Sequence, residues 1–241
     1  MANSLLFSLA TGGFQWRYRT CLQSHKAFAQ KNGYLYSVVD RPKVSTLDLD
    51  VVWLKIFLLR EALKKDYEWV VFLDADTEVT PRCPPFEQLN SFNKSIYMAN
   101  GYSERVNSGV IILRNDAHSR AYIETIIKNC QEALPEEDDV GWGENGHVIH
   151  YAKSNPHVHL LDHRWNNNRD ETLTDFIRHY SAGPLRHLYK PALTDFILYK
   201  TTKTLQSVLT RAARCLPGPQ KSLTQKMIAL TVATQNKFPE F

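Results

Sequence analysis

The chain has 241 residues, of which 43% are hydrophobic and 22% charged, and its formal net charge is +4. This composition is ordinary for a globular protein, and so mild a positive excess does not point to a nucleic-acid partner. Because there is no apolar run of about eighteen residues and no basic segment at the N-terminus, we expect neither a membrane span nor a signal peptide.

The four cysteines, Cys21, Cys83, Cys130 and Cys215, are widely spaced. The absence of a Cys-x-x-Cys pair argues against a zinc site, and the wide spacing argues against a disulfide framework. Free cysteines fit a reducing compartment, so we expect a cytoplasmic protein.

Predicted strands and helices alternate along most of the chain. Apolar runs bounded by polar or turn residues predict strands at 4–9, 34–39, 70–73, 95–98, 109–113, 157–161 and 177–180. Apolar residues at helical spacing predict helices at about 16–31, 48–65, 116–130 and 144–153. The acidic run at 136–139 is predicted to be a solvated loop. This order predicts an α/β fold with a mostly parallel central sheet and helices on both faces.

The chain changes character after Pro191, so we divide it into a domain at 1–190 and a basic helical extension at 191–241. Residues 199–241 contain seven basic residues and one acidic residue. Pro217-Gly218-Pro219 separates two segments of this region that have apolar residues at helical spacing. Basic amphipathic helices of this kind either pack on the domain or a partner, or lie on an anionic membrane. We favour packing for the first helix and keep membrane contact as a hypothesis for the region.

Two carboxylates, Asp74 and Asp76, follow the buried apolar run 70–73 directly. Ligands of open α/β sheets bind beyond the carboxyl ends of the strands, and side chains two residues apart on a strand lean the same way. Two converging carboxylates repel each other unless a cation neutralises them, and oxygen ligands suit Mg²⁺ or Mn²⁺. The same pair also occurs in turns, where aspartate caps the backbone, so the pair alone leaves both interpretations open.

Lys55 is the one charged residue in the apolar segment 51–59. Its long side chain either passes its apolar neighbours to reach solvent, or directs a cation into a site. Helix propensity does not separate these interpretations.

Six short segments resemble, in order and approximate spacing, the motifs of GT-A glycosyltransferases, especially the glycogenin-like families and related retaining galactosyl-, xylosyl- and mannosyltransferases. These segments are Trp53–Ile56, Phe72–Thr77, Asn107–Ile111, Trp142–Gly146, Leu161–Asn166 and His179–Gly183. The resemblance implies a Rossmann-like GT-A fold for nucleotide-diphospho-sugar transferases. It also implies transfer of a hexose, from UDP-galactose or UDP-glucose, to a saccharide hydroxyl with retention of configuration, in the synthesis of a cell-surface polysaccharide or glycoconjugate.

The resemblance also implies candidate roles for individual residues. The divalent cation, Mn²⁺ or Mg²⁺, would be held by Asp74, Asp76 and His179, with Asp76 the more direct ligand and Asp74 shared with the donor's ribose. The nucleotide sugar would be bound by Ala10, Thr11, Tyr18, Lys55, Asp74, Ala75, Asp76, Ser108, Gly183 and Arg186. The transferred sugar would be lined by Asn107, Glu144 and Asn145, of which Glu144 or Asn145 would stabilise the developing positive charge.

Three departures from the family pattern bear on these roles. Glu144-Asn145 replaces the usual Asp-Gln pair, which moves the carboxylate by one methylene, and Asp162 replaces a proline. The interval from His179 to Gly183 is one residue longer than the common form, which leaves the placement of Arg186 open.

Two other functions fit part of the pattern. A phosphatase of the haloacid dehalogenase type also carries Asp-x-Asp after an apolar strand. That motif lies near the N-terminus and continues into a small turn, whereas Thr77-Glu78-Val79 follows here, and Asp138-Asp139 is not a convincing partner motif. The other alternative is a non-catalytic sugar-binding domain, which would not need both carboxylates together with His179 and Lys55.

Overall fold

The computed structural model describes residues 3–41, 48–141, 143–214 and 221–241. Trp142, Cys215 and the Pro217–Pro219 spacer lie outside the described residues. The strands are Ser4–Leu9 (β1), Leu35–Val39 (β2), Trp69–Leu73 (β3), Thr77–Val79 (β4), Ile96–Ala99 (β5), Val110–Arg114 (β6), Val158–Leu161 (β7) and Ile177–His179 (β8). The α-helices are Phe14–Arg17 (α1), Arg19–Asn32 (α2), Leu54–Ala62 (α3), Ala117–Lys128 (α4), Asn145–Lys153 (α5), Leu193–Arg214 (α6) and Leu223–Gln235 (α7).

The central sheet has six strands in the order β2-β1-β3-β6-β5-β7. β1 pairs in parallel with β2 and β3, and β5 pairs in parallel with β7, whereas β6 runs antiparallel to both β3 and β5. The predicted mostly parallel α/β sheet is confirmed, with one antiparallel strand that the sequence did not reveal. An apolar run has the same pattern in either direction, so periodicity carries no information about strand direction.

Helices cover both faces of the sheet, as predicted. On one face, Phe7 and Phe72 pack with α3, α4 and α7. On the other, Leu6 and Val71 pack with α2 and with the 3₁₀ turn Phe86–Phe92. Burial on both faces explains why these strands are continuously apolar and do not alternate with polar residues.

Several helix ends follow local sequence signals. The side chain of Asp116 caps α4 by accepting the backbone N–H groups of His118 and Ser119. Gly33 ends α2 in the left-handed conformation, with φ of 72°. The predicted helix at 48–65 differs, because it begins as the 3₁₀ turn Asp48–Trp53 and becomes α-helical only at Leu54.

The acidic segment 136–139 is not the fully solvated loop that its composition predicts. The side chain of Asp138 is buried, accepts a hydrogen bond from His150 Nδ1 at 2.7 Å and pairs with Lys153. Both partners lie on α5, so the segment is tied to the helix that begins at Asn145. Composition could not show this, because the partners lie on an element further along the chain.

The end of the chain is part of the core. Met227 and Leu230 of α7 join the core cluster that α3 covers, and Phe241 is 1% exposed. The ring of Phe241 meets the ring of Phe7 edge-on, with 5.0 Å between their centroids. The boundary at residues 190 and 191 stays a prediction.

α6 packs on α1 and leaves part of its surface in solvent. Arg19 Nη1 lies 3.2 Å from Asp195 Oδ1, and the buried ring of Tyr199 lies 5.9 Å from that of Phe14. No helix among the described residues is long and apolar enough to cross a bilayer.

Candidate active site

Three predicted metal ligands converge at one edge of the central sheet. Asp74 and Asp76 follow β3, and the antiparallel pairing of β4 with β8 places Thr77 opposite His179. His179 Nε2 lies 3.2 Å from Asp76 Oδ1 and 3.9 Å from Asp74 Oδ2. One ligand atom from each side chain falls within 4.8 Å of the others. A single divalent cation can therefore contact all three.

Gly109 makes room for this cluster. β6 runs antiparallel to β3, so Val110 stands opposite Leu73 and the backbone of Gly109 lies beside Asp74. A Cβ at Gly109 would stand 2.3 Å from His179 Cε1 and 2.9 Å from Asp74 Oδ2. No side chain fits there unless the cluster moves apart. Glycine is therefore needed at position 109 because of these close contacts, and not because of its φ and ψ angles.

Lys55 directs its charge into the site and does not extend to solvent. Its Nζ lies 2.6 Å from Glu144 Oε1 and 3.7 Å from Asp74 Oδ1, and the Lys55 side chain is 5% exposed. The same Nζ donates to the hydroxyl of Ser108 at 3.1 Å, and this hydroxyl donates to Glu144 Oε1 at 2.7 Å. Lys55, Ser108 and Glu144 therefore form one buried network beside Asp74.

The charges in this network shift one another's pKa. Burial alone would lower the pKa of Lys55, but the carboxylates of Asp74 and Glu144 outweigh it and hold that pKa above its ordinary value. Burial raises the pKa of Asp74, the nearby Asp76 carboxylate adds to this, and Lys55 opposes it. Asp74 thus lacks full compensation for its negative charge.

Asp76 and His179 shift each other's pKa, in each case against the effect of burial. Burial would raise the pKa of Asp76, but the imidazolium form of His179 outweighs it and lowers that pKa. Burial would lower the pKa of His179, and Asp76 outweighs this and raises it. Two carboxylates and an imidazole are a donor set that suits Mn²⁺ or Mg²⁺, and a bound cation would replace the proton of the imidazolium.

A cavity of about 210 Å³ opens beside the two aspartates. Six of the predicted donor-binding residues line it: Thr11, Tyr18, Lys55, Asp74, Ala75 and Asp76. Four further lining residues were not predicted: Leu9, Phe14, Val51 and Val52. Their apolar character, typical of core residues, gave no signal in the sequence. The rings of Phe14 and Tyr18 lie parallel with centroids 5.6 Å apart and form an aromatic wall.

Tyr18 and Ala10 occupy different positions around this cavity. Burial, reinforced by the carboxylate of Asp76, raises the pKa of Tyr18 to about 12, so its hydroxyl stays protonated at neutral pH. Ala10 is fully buried, and its N–H donates to the carbonyl of Val39 at 2.9 Å. Ala10 therefore ties the loop after β1 to the end of β2 through its backbone.

Gly183 and Arg186 lie just beyond β8. The N–H of Tyr180 donates to the carbonyl of Asp76 at 2.9 Å, which keeps this segment beside the aspartates. Arg186 is exposed, and its charge contributes to lowering the pKa of Asp76. A Cβ at Gly183 would lie 2.9 Å from the carbonyl oxygen of Asn168, so the glycine here permits a close approach between two backbone segments.

The three predicted sugar-lining residues take part in interactions within the protein. Glu144 is 2% exposed, and its Oε1 is shared by Lys55 and Ser108. Asn145 Oδ1 accepts the N–H of Ser108 at 2.8 Å, and Asn107 Oδ1 accepts the N–H of Gly109 at 3.0 Å. These contacts hold the segment 107–109 against α5.

Asn166 is a site residue that the sequence did not single out. It is 1% exposed, its Oδ1 lies 2.8 Å from His179 Nδ1, and its Nδ2 donates to Asn107 Oδ1 at 3.1 Å. Asn166 ends the Leu161–Asn166 segment, and the resemblance of that segment to a family motif was the one indication of Asn166 in the sequence.

Comparisons with solved structures address the fold. A glycosyltransferase involved in the glycosylation of the major capsid of PBCV-1 matches with a TM-score of 0.57 and 13% identity, over 85% of this chain and 100% of that chain. The apo form of GlyE from Streptococcus pneumoniae matches at 0.49 and 14%, over 92% and 66%. Mouse xyloside xylosyltransferase 1 matches at 0.43 and 13%, over 76% and 99%. No protein-family model and no curated protein matches this sequence. The mixed six-stranded sheet and the first of these matches show that this chain shares the fold of that solved glycosyltransferase, with the Asp-x-Asp pair at the edge of the sheet.

Proposed function

We propose that this protein transfers a hexose from a nucleotide sugar to a hydroxyl of a saccharide or glycoconjugate acceptor. UDP-galactose and UDP-glucose are the proposed donors, and retention of configuration is the proposed outcome. The product would belong to a cell-surface polysaccharide or glycoconjugate. The glycosyltransferase fold is compatible with this activity, but a fold alone does not determine chemistry.

The observation that carries the proposal is the convergence of Asp74, Asp76 and His179 beside a buried Lys55–Glu144 pair, with Asp74, Asp76 and Lys55 lining one open cavity. The leaving group of a nucleotide sugar is a nucleoside diphosphate, which carries a high negative charge. A cation bound by the three converging residues would stabilise that charge as a Lewis acid. Burial and the neighbouring Asp76 raise the pKa of Asp74, and a cation bound beside Asp74 would favour its charged form.

The residues around the cavity would position the donor. The Phe14–Tyr18 aromatic wall and Thr11 line the same cavity as Lys55, and they would offer a flat apolar surface and a polar rim to a nucleobase and ribose. Arg186 is exposed near Asp76 and would contribute positive charge toward the diphosphate. The cavity is smaller than typical ligand pockets of about 300–1,000 Å³, so part of the donor would extend into solvent.

The segment 107–109 and the start of α5 would contact the transferred sugar. In front-face attack, positive charge develops at the transferred sugar as the bond to the diphosphate breaks, and it disappears as the acceptor oxygen bonds to the same carbon and the hydroxyl proton passes to the departing diphosphate. Glu144 or Asn145 would stabilise this transient positive charge. Lys55 offsets part of the charge on Glu144, so the geometry favours an electrostatic role for Glu144 and gives no reason to make it a covalent nucleophile.

A thermal-shift screen of UDP- and GDP-sugars, with and without Mn²⁺, tests the proposal. A nucleotide present at about a hundred times its Kd stabilises a protein by about 2.7 kcal/mol, which is a shift of several degrees in Tm. We expect this shift to require Mn²⁺ and to vanish in Asp76→Ala. By the family pattern, Asp74→Ala is expected to weaken it less.

Two outcomes would favour the alternatives. Hydrolysis of a phosphate ester by the metal-free protein, measured as release of inorganic phosphate, would support a phosphatase. A nucleotide-sugar shift in the thermal screen that survives Asp76→Ala would support a non-catalytic binding domain. Either result would overturn the transferase proposal.

We also propose that residues 1–190 form the catalytic domain and that the extension 191–241 contacts an anionic membrane through the part of α6 that does not pack on α1, which would place the protein at the cytoplasmic face. Supporting this, a strip of α6 exposes Ile197, Leu205 and Val208, each more than half accessible, with exposed Lys200 beside it. Amphipathic helices with a basic flank bind anionic bilayers through both features. The described cysteines are free, in keeping with a reducing compartment.

A further inference from the structure

We propose that Asn166 is a positioning residue that determines which nitrogen of His179 carries the proton, so that Nε2 presents its lone pair to the cation. This inference rests on the proposed function for its purpose. Its structural basis is a chain of four hydrogen-bonding groups, and the proton positions follow from what each group can donate or accept.

The chain begins at the backbone of Gly109. A backbone N–H can only donate, and the side chain of Asn107 lies 3.0 Å from it. The facing atom of Asn107 must therefore be its oxygen. This assignment does not depend on how the two ends of the amide are labelled, because the NH₂ end would set donor against donor.

The second link is between Asn107 and Asn166. Because Asn107 presents an oxygen, the atom of Asn166 that lies 3.1 Å away must be the donor Nδ2. The other end of the Asn166 amide is then Oδ1, which faces His179 Nδ1 at 2.8 Å. Asn166 is 1% exposed, so no water can take over either contact without a rearrangement.

The third link assigns the histidine. Oδ1 can only accept, so His179 Nδ1 must carry a proton. In the neutral ring Nε2 then has the lone pair, and Nε2 is the atom that lies 3.2 Å from Asp76 and 3.9 Å from Asp74. Groups that hydrogen-bond to the far nitrogen of a metal-binding histidine orient its ring, and their loss typically weakens metal binding about 10–100-fold.

The first test uses the ligand-free protein. We label it with ¹⁵N-histidine and record long-range ¹H–¹⁵N spectra about three pH units above the ordinary histidine pKa of about 6.5, where neutral rings dominate. His179 is assigned by the signals that disappear in His179→Gln. The Asp76 carboxylate lies 3.2 Å from Nε2 and can accept a proton from it, so Nε2 of the ligand-free protein is expected to be bare only where the ring is neutral, whereas Nδ1 is expected to be protonated in every spectrum. A bare Nδ1 would overturn the proposal, whether or not the protein is a transferase.

The second test measures Mn²⁺ affinity by calorimetry in Asn166→Leu and in the matched control Asn168→Leu. Asn168 is also buried in the same loop, but its side chain bonds to Ser181 and not to His179. We expect Asn166→Leu to bind Mn²⁺ about 10–100-fold more weakly, as is typical when a metal-binding histidine loses its hydrogen-bond partner. The control should bind Mn²⁺ about as well as wild type. Equal losses in both variants would mean a general structural effect and would overturn the proposal.

A third variant, Asn166→Asp, serves in case Asn166→Leu fails to fold. Its carboxylate still accepts from His179 Nδ1 but can no longer donate to Asn107 Oδ1, so this variant tests the proton position alone, and we expect the wild-type proton on Nδ1 in the NMR spectrum. A switched proton would contradict the proposal. If the wild-type protein shows the expected proton pattern but does not bind Mn²⁺, the proposed metal-dependent function fails while the proton assignment stands.

Discussion

Lys55 Nζ lies 2.6 Å from Glu144 Oε1, and both side chains are almost completely buried. The two residues come from the start of α3 and from the residue before α5, so this contact joins two helices beneath the candidate active site. Each charge of a buried ion pair is stabilised by the other charge more than by solvent. The effects of replacing the two residues on the free energy of unfolding should therefore be interdependent.

We predict that Lys55→Met destabilises the protein strongly and that the double variant Lys55→Met/Glu144→Gln recovers much of the loss. Removing one member of a buried ion pair typically costs about 3–5 kcal/mol, because the other charge is left without a partner. Urea denaturation of the two single variants and the double variant measures this coupling. If the double variant lost the sum of the two single losses, the pair would not be coupled and the prediction would be wrong.

We predict that Gly109→Ala abolishes Mn²⁺-dependent stabilisation. The added Cβ would stand 2.3 Å from His179 Cε1 and would force the three candidate ligands apart. Gly33→Ala is the matched control, because a Cβ at Gly33 has no atom within 4 Å, although φ is 72° there. The control should lose about 1–2 kcal/mol of stability from its left-handed backbone and keep its response to Mn²⁺. A normal Mn²⁺ response in Gly109→Ala would contradict the site.

We predict that the free energy of unfolding decreases as the pH falls from about 6.5 to about 4, because His25 takes up a proton more readily in the unfolded chain. The ring of His25 is fully buried, with Ser8 Oγ 2.9 Å from Nδ1 and the Thr77 carbonyl 2.7 Å from Nε2, so the neutral form satisfies both nitrogens. Burial lowers its pKa to about 4. The unfolded chain therefore binds a proton at a higher pH than the folded chain does, and each step down in this window favours unfolding.

Each pH unit between the ordinary histidine pKa of about 6.5 and the pKa of about 4 in the folded chain corresponds to about 1.36 kcal/mol, so the contribution of His25 is on the order of 3 kcal/mol. Urea denaturation at several pH values measures it, with His25→Gln as the variant that cannot titrate. The stability difference between the two proteins should change across this window and level off below it. A difference that does not vary with pH would show that His25 is not the group responsible.

We predict that the exposed strip of α6 binds anionic vesicles. Leu205 and Val208 are 53% and 57% exposed, and replacing both with serine should reduce co-sedimentation with phosphatidylserine-containing liposomes several-fold. The matched control replaces Ile228 and Val232 of α7, which are 46% and 52% exposed, and should bind like wild type. Equal binding to neutral vesicles, or none to anionic ones, would remove the membrane hypothesis.

Local signals predicted the elements well. The strand Ser4–Leu9 has the predicted bounds, Asp116 caps α4, and Gly33 ends α2, because each depends on residues within a few positions of one another. The Asp-x-Asp pair was recognisable for the same reason, since both carboxylates follow one strand. The strand Thr77–Val79 was missed, because three residues in a polar setting carry no periodic pattern.

The site depended on contacts between distant residues. Sequence resemblance, and not periodicity, suggested His179, and its position beside Asp76 comes from the pairing of β4 with β8. The resemblance implied donor binding for Lys55 and no role for Asn166. The buried partners of both could not be predicted from the chain, because a lysine in an apolar segment and an asparagine after an aromatic have many ordinary explanations. Their partners lie 53 and 59 residues away, at Ser108 and Asn107.

Most strands and helices could be predicted from the sequence to within a few residues, as could the two carboxylates that follow a buried strand. The antiparallel direction of β6 relative to β3, which places Gly109 beside Asp74, and the pairing of Lys55 with Glu144 became visible only in the folded chain. The difference lies in how far apart in the sequence the interacting residues are. Periodicity and capping act between near neighbours, whereas strand direction, buried ion pairs and the proton position of His179 depend on residues that meet only in the folded chain.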